Sequence, residues 1–351
     1  MAHGQADRLL GDFDLNKIDE LLKAGGTGEL AERIGLGNLF LGPKRFGRMF
    51  PDATPFRPDD EALINLGKAM QDPVPPNPNQ PDPAQDNLAI PAGFTYLGQF
   101  VDHDITFDQT RGFQQINNAE EIEQARTPNI DLDSLYGLGP KQQPELYDMP
   151  TGKPENARFR IGRTANVDSP VAPGQPPAPP NLPNDLPRRD DKVAIIGDPR
   201  NDENLIVAQT HLAFLKFHNR VMDTQPGPPG GLLDTVGGLV GKALGFTQSE
   251  EDSANTPFHR ARRTVRWHYQ WMVLHDHVGR MVEPATLNDV RTNGRKFYVF
   301  EKDPFNGTPY MPIEFSVGGY RMGHSQVREF YNHNRVFGAP PTVPAPLANA
   351  S

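Results

Sequence analysis

Three stretches of the chain carry residue types that could do chemistry, at spacings that would bring those residues together. The first is Gly98-Gln99-Phe100-Val101-Asp102-His103-Asp104. Read as a helix, it places Gln99, Asp102 and His103 on one face at spacings of three and four, and leaves Leu97, Phe100 and Val101 to pack on other sides. Asp104 is rotated roughly 100° from His103. One short helix could then offer a proton-transferring imidazole to one site and a carboxylate to a second. The plainer alternative is a buried histidine beside a helix-end aspartate.

The second stretch is Thr127-Pro128-Asn129-Ile130-Asp131-Leu132-Asp133, followed by Ser134-Leu135-Tyr136-Gly137. Oxygen-bearing side chains fall at every second residue (Thr127, Asn129, Asp131, Asp133), and extended chain points such residues one way. A ring of hard oxygens suits calcium, which takes six to eight of them. An EF-hand is excluded: counting from Asn129, the sixth residue is Ser134 rather than glycine and the twelfth is Pro140 rather than glutamate. A solvated acidic loop is the alternative, but the interleaved Ile130, Leu132 and Leu135 favour a loop pinned to a core. The third stretch, residues 316–328, has helical periodicity yet contains Gly318, Gly319 and Gly323. Each glycine costs a helix about 1 kcal/mol relative to alanine. Close approach of a flat ligand to the backbone beside His324 would offset that cost, and so would a helix–helix contact through the glycines.

The elements that must position these stretches are mostly helical. Asn16 to Leu36 carries apolar residues at helical spacing, interrupted by Gly25-Gly26. Asp59-Asp60 caps a helix running to about Met70. Residues 73–83 form a proline-dense connector, and Gly93 opens the first site helix. A short acidic helix is expected at 119–126, and a second proline-rich excursion at 169–187. Asn201 or Asp202 caps a helix from about Glu203 to Met222, while Thr256-Pro257 starts a long helix to about Val282. On that helix His259, His268, His275 and His277, with Arg260, Arg262, Arg263 and Arg266, are expected to line core and surface. Residues 226–256 read as Gly-rich loop, residues 296–300 as a short strand, and residues 339–351 as a tail.

Composition narrows the function classes. With 37 prolines and 33 glycines among 351 residues, much of the chain must be loop. A net charge of -9 argues against nucleic acid as a partner. No run of 18 apolar residues offers a membrane span. The N-terminus lacks the basic-then-apolar pattern of a signal peptide, so the expected location is cytoplasmic, or exported without a cleaved N-terminal signal. The absence of cysteine removes disulfides, thiolate metal sites and cysteine nucleophiles together.

Taken together these segments resemble the animal-type haem peroxidases, the peroxidase–cyclooxygenase superfamily. Gly98 to Asp104 resembles the distal-helix motif, and Thr127 to Gly137 the calcium loop with its Leu-Tyr-Gly. Gly197-Asp198-Pro199-Arg200-Asn201-Asp202-Glu203, with His218-Asn219-Arg220, resembles the distal-arginine segment. Glu314-Phe315-Ser316 with Tyr320-Arg321-Met322-Gly323-His324-Ser325 resembles the proximal-histidine helix. Four such segments stand in the family's order across residues 96–325, and the lack of cysteines and signal peptide fits the bacterial branch best.

The resemblance implies a mainly α haem-peroxidase fold with long Pro/Gly-rich loops and little β-structure. It implies one domain over 1–351, made of N-terminal helices and connector (1–90), a haem- and calcium-binding core (91–338) and the tail. It also implies haem b and Ca2+ as cofactors, with hydrogen peroxide and a small organic or halide electron donor as partners. His324 would be the proximal iron ligand, His103 the distal acid–base, Arg200 its cationic partner, and Gln99 would line the distal pocket. Asp102 and Glu203 match carboxylates that form ester links to haem methyls, and Arg321 would pair with a propionate. Asp104, Thr127, Asn129 (through its carbonyl), Asp131 and Asp133 match the calcium ligands. The implied reaction is peroxide reduction through an oxoferryl intermediate, with a role in the response to oxidative stress.

Three departures stand out. Residue 204 is asparagine, so the vinyl–methionine link of some vertebrate members is not expected. The family's proximal histidine is hydrogen-bonded by an asparagine well downstream, whereas Asn332 and Asn334 follow His324 closely and the chain stops at residue 351; it thus resembles a member truncated at the C-terminus. Position 321 is Arg and Tyr320 lies four residues before His324, which sets the chain apart from fatty-acid dioxygenases of the same superfamily, the nearest rival. The other rivals are a non-catalytic remnant that binds calcium alone and a phosphohydrolase built on His103-Asp104.

Overall fold

A computed structural model describes residues 46–54, 56–71, 87, 89–108, 122, 124–164, 181–224, 256–299, 309–327, 330–331 and 345–346. The helix expected over 16–36, the 73–83 connector, the 226–255 loop and most of the 339–351 tail lie outside these residues, as do Asn332 and Asn334. The helices are α1 (Asp60–Ala69), α2 (Gly93–Ile105), α3 (Asp133–Tyr136), α4 (Leu205–Thr224), α5 (Pro257–Trp271), α6 (Val278–Met281) and α7 (Pro284–Asn293). A π-helical stretch, Met272–His277, joins α5 to α6, so the long helix expected to about Val282 is continuous but widened. Strand is confined among the described residues to two-residue pairs: Phe46–Gly47 parallel to Met311–Pro312, Tyr147–Asp148 with Arg158–Phe159, and Phe330–Tyr331 with Ala345–Pro346. The chain is mainly helical, as expected.

The helix starts follow local chemistry. Asp59 accepts from the Ala62 N–H at 2.6 Å and opens α1. The Thr256 hydroxyl accepts from the His259 N–H, and Pro257 takes the first position of α5, where its missing N–H costs nothing. The long helix α4 begins two residues later than expected. Its cap is Asn204, whose Oδ1 accepts from the Ile206 and Val207 N–H groups at 3.1 and 2.9 Å. Asn201 and Asp202, the expected caps, lie in a preceding 3-10 turn (Pro199–Asp202), and their side chains are engaged elsewhere.

The core lies where α2, α4 and α5 meet. Phe100, fully buried, stacks on Phe214 with centroids 5.1 Å apart and meets Tyr269 edge-on at 6.0 Å. Such aromatic pairs add about 0.5–1.5 kcal/mol beyond the area they bury. A second aromatic cluster of Tyr136, Tyr147, Phe159, His218 and Phe258 packs the 131–159 segment against α4 and α5. Two local expectations fail. Residues 296–299 form no strand; Tyr298 reaches Tyr310 through its hydroxyl instead of a ladder. The acidic helix of 119–126 is absent at residues 124–126, where Gln124 bridges to Asp108 and its amide clasps the Ile105 carbonyl and the Phe107 N–H.

Candidate functional site

Helix α2 presents two faces to two sites. Its cavity face carries Gln99, Asp102 and His103, which line a cavity of about 610 Å³ together with Arg200, Glu203, Arg321 and His324. Seven of the expected site residues therefore share one space, of a size that holds a cofactor. Asp104, fully buried on the opposite side, faces the 127–137 loop.

His103 is held in the cavity lining by partners on both ring nitrogens' sides. Its Nδ1 lies 2.8 Å from Asn201 Oδ1, and its Nε2 is 3.5 Å from Glu203 Oε1. Burial and then the charge of Arg200 lower its pKa, so the ring is neutral at pH 7. Arg200 reaches the site from the 3-10 turn. It donates through Nη2 to the His103 carbonyl at 2.8 Å and through Nε and Nη2 to Asp198, and its guanidinium lies 4.3 Å from the Phe107 ring centroid. Asp198 is fully buried. Burial alone would raise its carboxyl pKa, but Arg200 and Arg126 outweigh it and hold it at about 2. The loop that carries Asp198 can sit so low because residue 197 is glycine: a Cβ there would lie 2.6 Å from the Ser134 carbonyl oxygen. The arginine turn is thus pressed directly onto the acidic loop.

Gln99 donates to Glu203 Oε1 and accepts from Asn204 Nδ2 at 3.0 Å. Arg321 Nη1 pairs with Asp102 Oδ2 at 2.7 Å, tying the 314–326 segment to α2. Tyr320 adds a bond from its hydroxyl to the Gly98 carbonyl at 2.8 Å. Residues 314–326 form a π turn, Glu314–Gly319, followed by a 3-10 turn, Arg321–Gln326, rather than one regular helix. Glu314 anchors its start by accepting from the Met49 and Phe50 N–H groups. His324 is exposed and lines the cavity; its Nδ1–H donates to the Arg321 carbonyl at 3.1 Å, which leaves Nε2 with its lone pair. A Cβ added at Gly318 or Gly323 meets no atom within 4 Å, and one at Gly319 only the Glu314 carbonyl oxygen at 3.8 Å. Among the described residues, helix–helix packing therefore does not explain these glycines. Gly319 and Gly323 line the cavity, where a flat group can approach the backbone.

The acidic site is compact. Asp104, Asp131 and Asp133 are buried, each offering one oxygen within 4.8 Å of the others'. Thr127 Oγ1 donates to Asp131 Oδ2 at 2.8 Å. Asp104 accepts from the Leu132 N–H, the Ser134 N–H and the Ser134 hydroxyl. Burial, then Asp131 and Asp133, push its pKa well above the usual carboxylate range. Leu132 takes a left-handed conformation at φ 62°, a strained choice for a residue with a Cβ, to turn the loop around Asp104. Three buried carboxylates and a hydroxyl form a hard-oxygen set that fits calcium. Asn129 is half-buried in the same loop, with no side-chain bond shown to the triad.

Two residues at or beside the cavity take roles other than those expected from the sequence. His277, expected at core or surface, lines the cavity, stacks on Phe94 at 6.2 Å and would lie 3.2 Å from a Cβ at Gly98; burial lowers its pKa. Asn201 is fully buried between His103 and His211. A π-helical stretch is a recognised mark of functional sites and shows only in the structure.

The family model for animal haem peroxidases matches residues 107–344, more than half of the chain, and takes in Arg200, Glu203, Arg321, His324 and the acidic loop. The α2 residues Gln99 to Asp104 lie just before the matched range. No curated protein matches the chain. The chain belongs to the animal haem peroxidase family.

Proposed function

We propose that this chain is a haem peroxidase that reduces hydrogen peroxide and oxidises a small donor one electron at a time: H2O2 + 2 AH → 2 H2O + 2 A•. The observation that carries the reading is the pairing of two histidines in one cavity, His103 backed by Arg200 and His324 with its Nδ1 already bonded. Haem held by His324 Nε2 would supply the iron that binds peroxide and takes up its oxidising equivalents. The rest is done by the chain. His103 accepts the proton of an arriving peroxide and returns it to the departing oxygen, so that water leaves. Arg200, charged at any working pH, stabilises the negative charge that develops as the O–O bond breaks. Gln99 and Glu203 shape the polar end of the cavity. Arg321 uses one arm on Asp102 and keeps further donors for a propionate. Calcium at Asp104, Asp131, Asp133 and Thr127 would fix the end of α2 and with it His103.

The test is reconstitution with haem. The expected results are a Soret band, its shift on adding peroxide, and donor oxidation that falls by about 10²-fold or more in His103→Ala. Absence of a Soret band would sink the reading for this chain, and oxygen uptake with linoleate in the absence of peroxide would replace it with a dioxygenase.

A further inference from the structure

Which nitrogen of His103 carries the proton is decided by two chains of side-chain bonds that meet at its ring. The first chain is anchored on backbone. The Ile206 and Val207 N–H groups can only donate, so they fix Asn204 Oδ1 as the cap and turn Asn204 Nδ2 toward Gln99. Asn204 Nδ2 can only donate, so it meets Gln99 Oε1, and Gln99 Nε2 is left to donate to Glu203 Oε1. Glu203 thus receives its hydrogen bond from Gln99. Its carboxylate has room for another donor, but His103 Nε2 stands 3.5 Å away, farther than a good hydrogen bond.

The second chain is wholly buried. Asn201 Oδ1 lies 2.8 Å from His103 Nδ1, and Asn201 Nδ2 lies 2.9 Å from His211 Nδ1. Asn201 and His211 are both fully buried, and burial keeps His211 neutral. One end of the amide can only accept and the other can only donate, so the two histidines cannot choose tautomers independently. With His211 Nδ1 accepting, the amide oxygen faces His103 and requires an N–H there. This register leaves His211 Nε2–H without a partner among the described residues, a cost the packing around it must offset.

We propose that Asn201 is a positioning residue that holds His103 in the Nδ1–H tautomer, with His211 Nδ1 taking the N–H at the other end of the amide. The bare Nε2 of His103 is then the proton-accepting atom in the cavity. This rests on the reading of His103 as the acid–base group, but it concerns the ring before any cofactor binds.

The test is therefore made on the full chain without haem, with 15N-labelled histidine and two-bond 1H–15N correlations, the rings being assigned by loss of signal in His103→Gln and His211→Gln. His103 is expected as the Nδ1–H tautomer by about tenfold or more, and His211 as the Nε2–H tautomer. In Asn201→Asp, whose carboxylate can only accept, His103 keeps its tautomer while His211 switches to Nδ1–H. In Asn201→Leu the preference at His103 is lost. An Nε2–H tautomer at His103 in the wild type overturns the proposal, as does an unchanged preference in a folded Asn201→Leu. If Asn201→Leu fails to fold, the wild-type and Asn201→Asp spectra decide. Haem uptake and peroxide reactivity, measured on the same wild-type protein, report separately: their failure with the Nδ1–H tautomer intact refutes the peroxidase reading alone.

Discussion

Replacing Asp104 by asparagine is expected to stabilise the protein in the presence of a chelator and to abolish most of its stabilisation by calcium. The oxygens of Asp104, Asp131 and Asp133 lie within 4.8 Å of one another. At an effective dielectric of about 20, two unit charges that close repel by about 3.5 kcal/mol, and Asp104 takes part in two of the three pairs, for about 7 kcal/mol at full ionisation. Two features reduce this. Arg126 Nε lies 3.6 Å from Asp133 and offsets part of the charge. Asp104 also takes up a proton more readily than an ordinary carboxylate, which relieves the repulsion at a smaller cost. Against the relief stands geometry. Both Asp104 oxygens accept from backbone N–H groups, Leu132 at 3.0 Å and Ser134 at 3.2 Å. An asparagine must turn its NH2 toward one of them, at a cost of about 1–3 kcal/mol. The electrostatic relief wins, for a net gain on the order of 2 kcal/mol without a cation. With calcium at about 100 times its Kd the wild type gains about 2.7 kcal/mol, most of which the variant forgoes with its lost charge. Thermal unfolding of both proteins, in chelator and in excess calcium, reads all four states. A variant less stable than wild type in chelator, together with a wild type indifferent to calcium, would refute the cation site.

Gly323→Ala should raise the melting temperature of the haem-free protein, since its Cβ meets nothing within 4 Å and the gain is about 0.4–1 kcal/mol, yet weaken haem binding in a titration followed at the Soret band. Asp198→Asn removes the carboxylate shared by Arg126 and Arg200, two cations gathered on one buried group, and should cost about 3–5 kcal/mol in urea unfolding. The Asp104 pKa is raised in the folded chain, so this group favours folding below its unfolded value and that contribution is lost as pH rises toward the folded value. Stabilisation by calcium, read as the melting-temperature difference with and without the ion, should therefore be larger at pH 7 than at pH 5. Calcium removal should also slow the reaction of the haem-loaded protein with peroxide, read by stopped flow, while the resting absorption spectrum set by His324 is kept.

The parts of this site that rest on short-range periodicity are legible in the chain. A turn of 3.6 residues puts Gln99, Asp102 and His103 on one face and Asp104 on another, whatever the tertiary structure. The interleaved acids mark Asp131 and Asp133 as a pair, although the left-handed turn at Leu132 and the start of α3, not extended alternation, bring them together; Asp59 and Thr256 act as caps, and among the described residues nothing distant competes for their oxygens. The misses occur where long-range contacts take a local group away. Asn201 and Asp202 look like caps, but Asn201 is claimed by His103 and His211 and Asp202 by Arg188, so Asn204 caps α4. Lys296 to Phe300 has a strand's composition, but Tyr298 spends its hydroxyl on Tyr310. His277 was hidden because the widened turn at Met272–His277 shifts the helical phase that would place it.

Three consecutive residues of α2 explain why the two sites are best regarded as one assembly. Successive side chains differ by about 100°, so Asp102, His103 and Asp104 together cover about 200° of the helix surface. All three are buried, at 6%, 5% and 0% exposure, and each is held by a different part of the chain. Asp102 pairs with Arg321 of the segment that carries His324, His103 with Asn201 of the arginine turn, and Asp104 with Leu132 and Ser134 of the acidic loop. A helix pinned on three sides within one turn cannot rotate to relieve strain at one contact without lengthening another. A cation bound there would draw Asp131 and Asp133 together and so steady His103 in the cavity that Arg321 and His324 also line, although neither histidine would touch it. The glycine at 197 lets the arginine turn rest on the same loop backbone, so Arg200 and His103 are referenced to one support. On the proposed reading, the precision that proton transfer at His103 demands would be set by the acidic loop, which would take no part in the transfer.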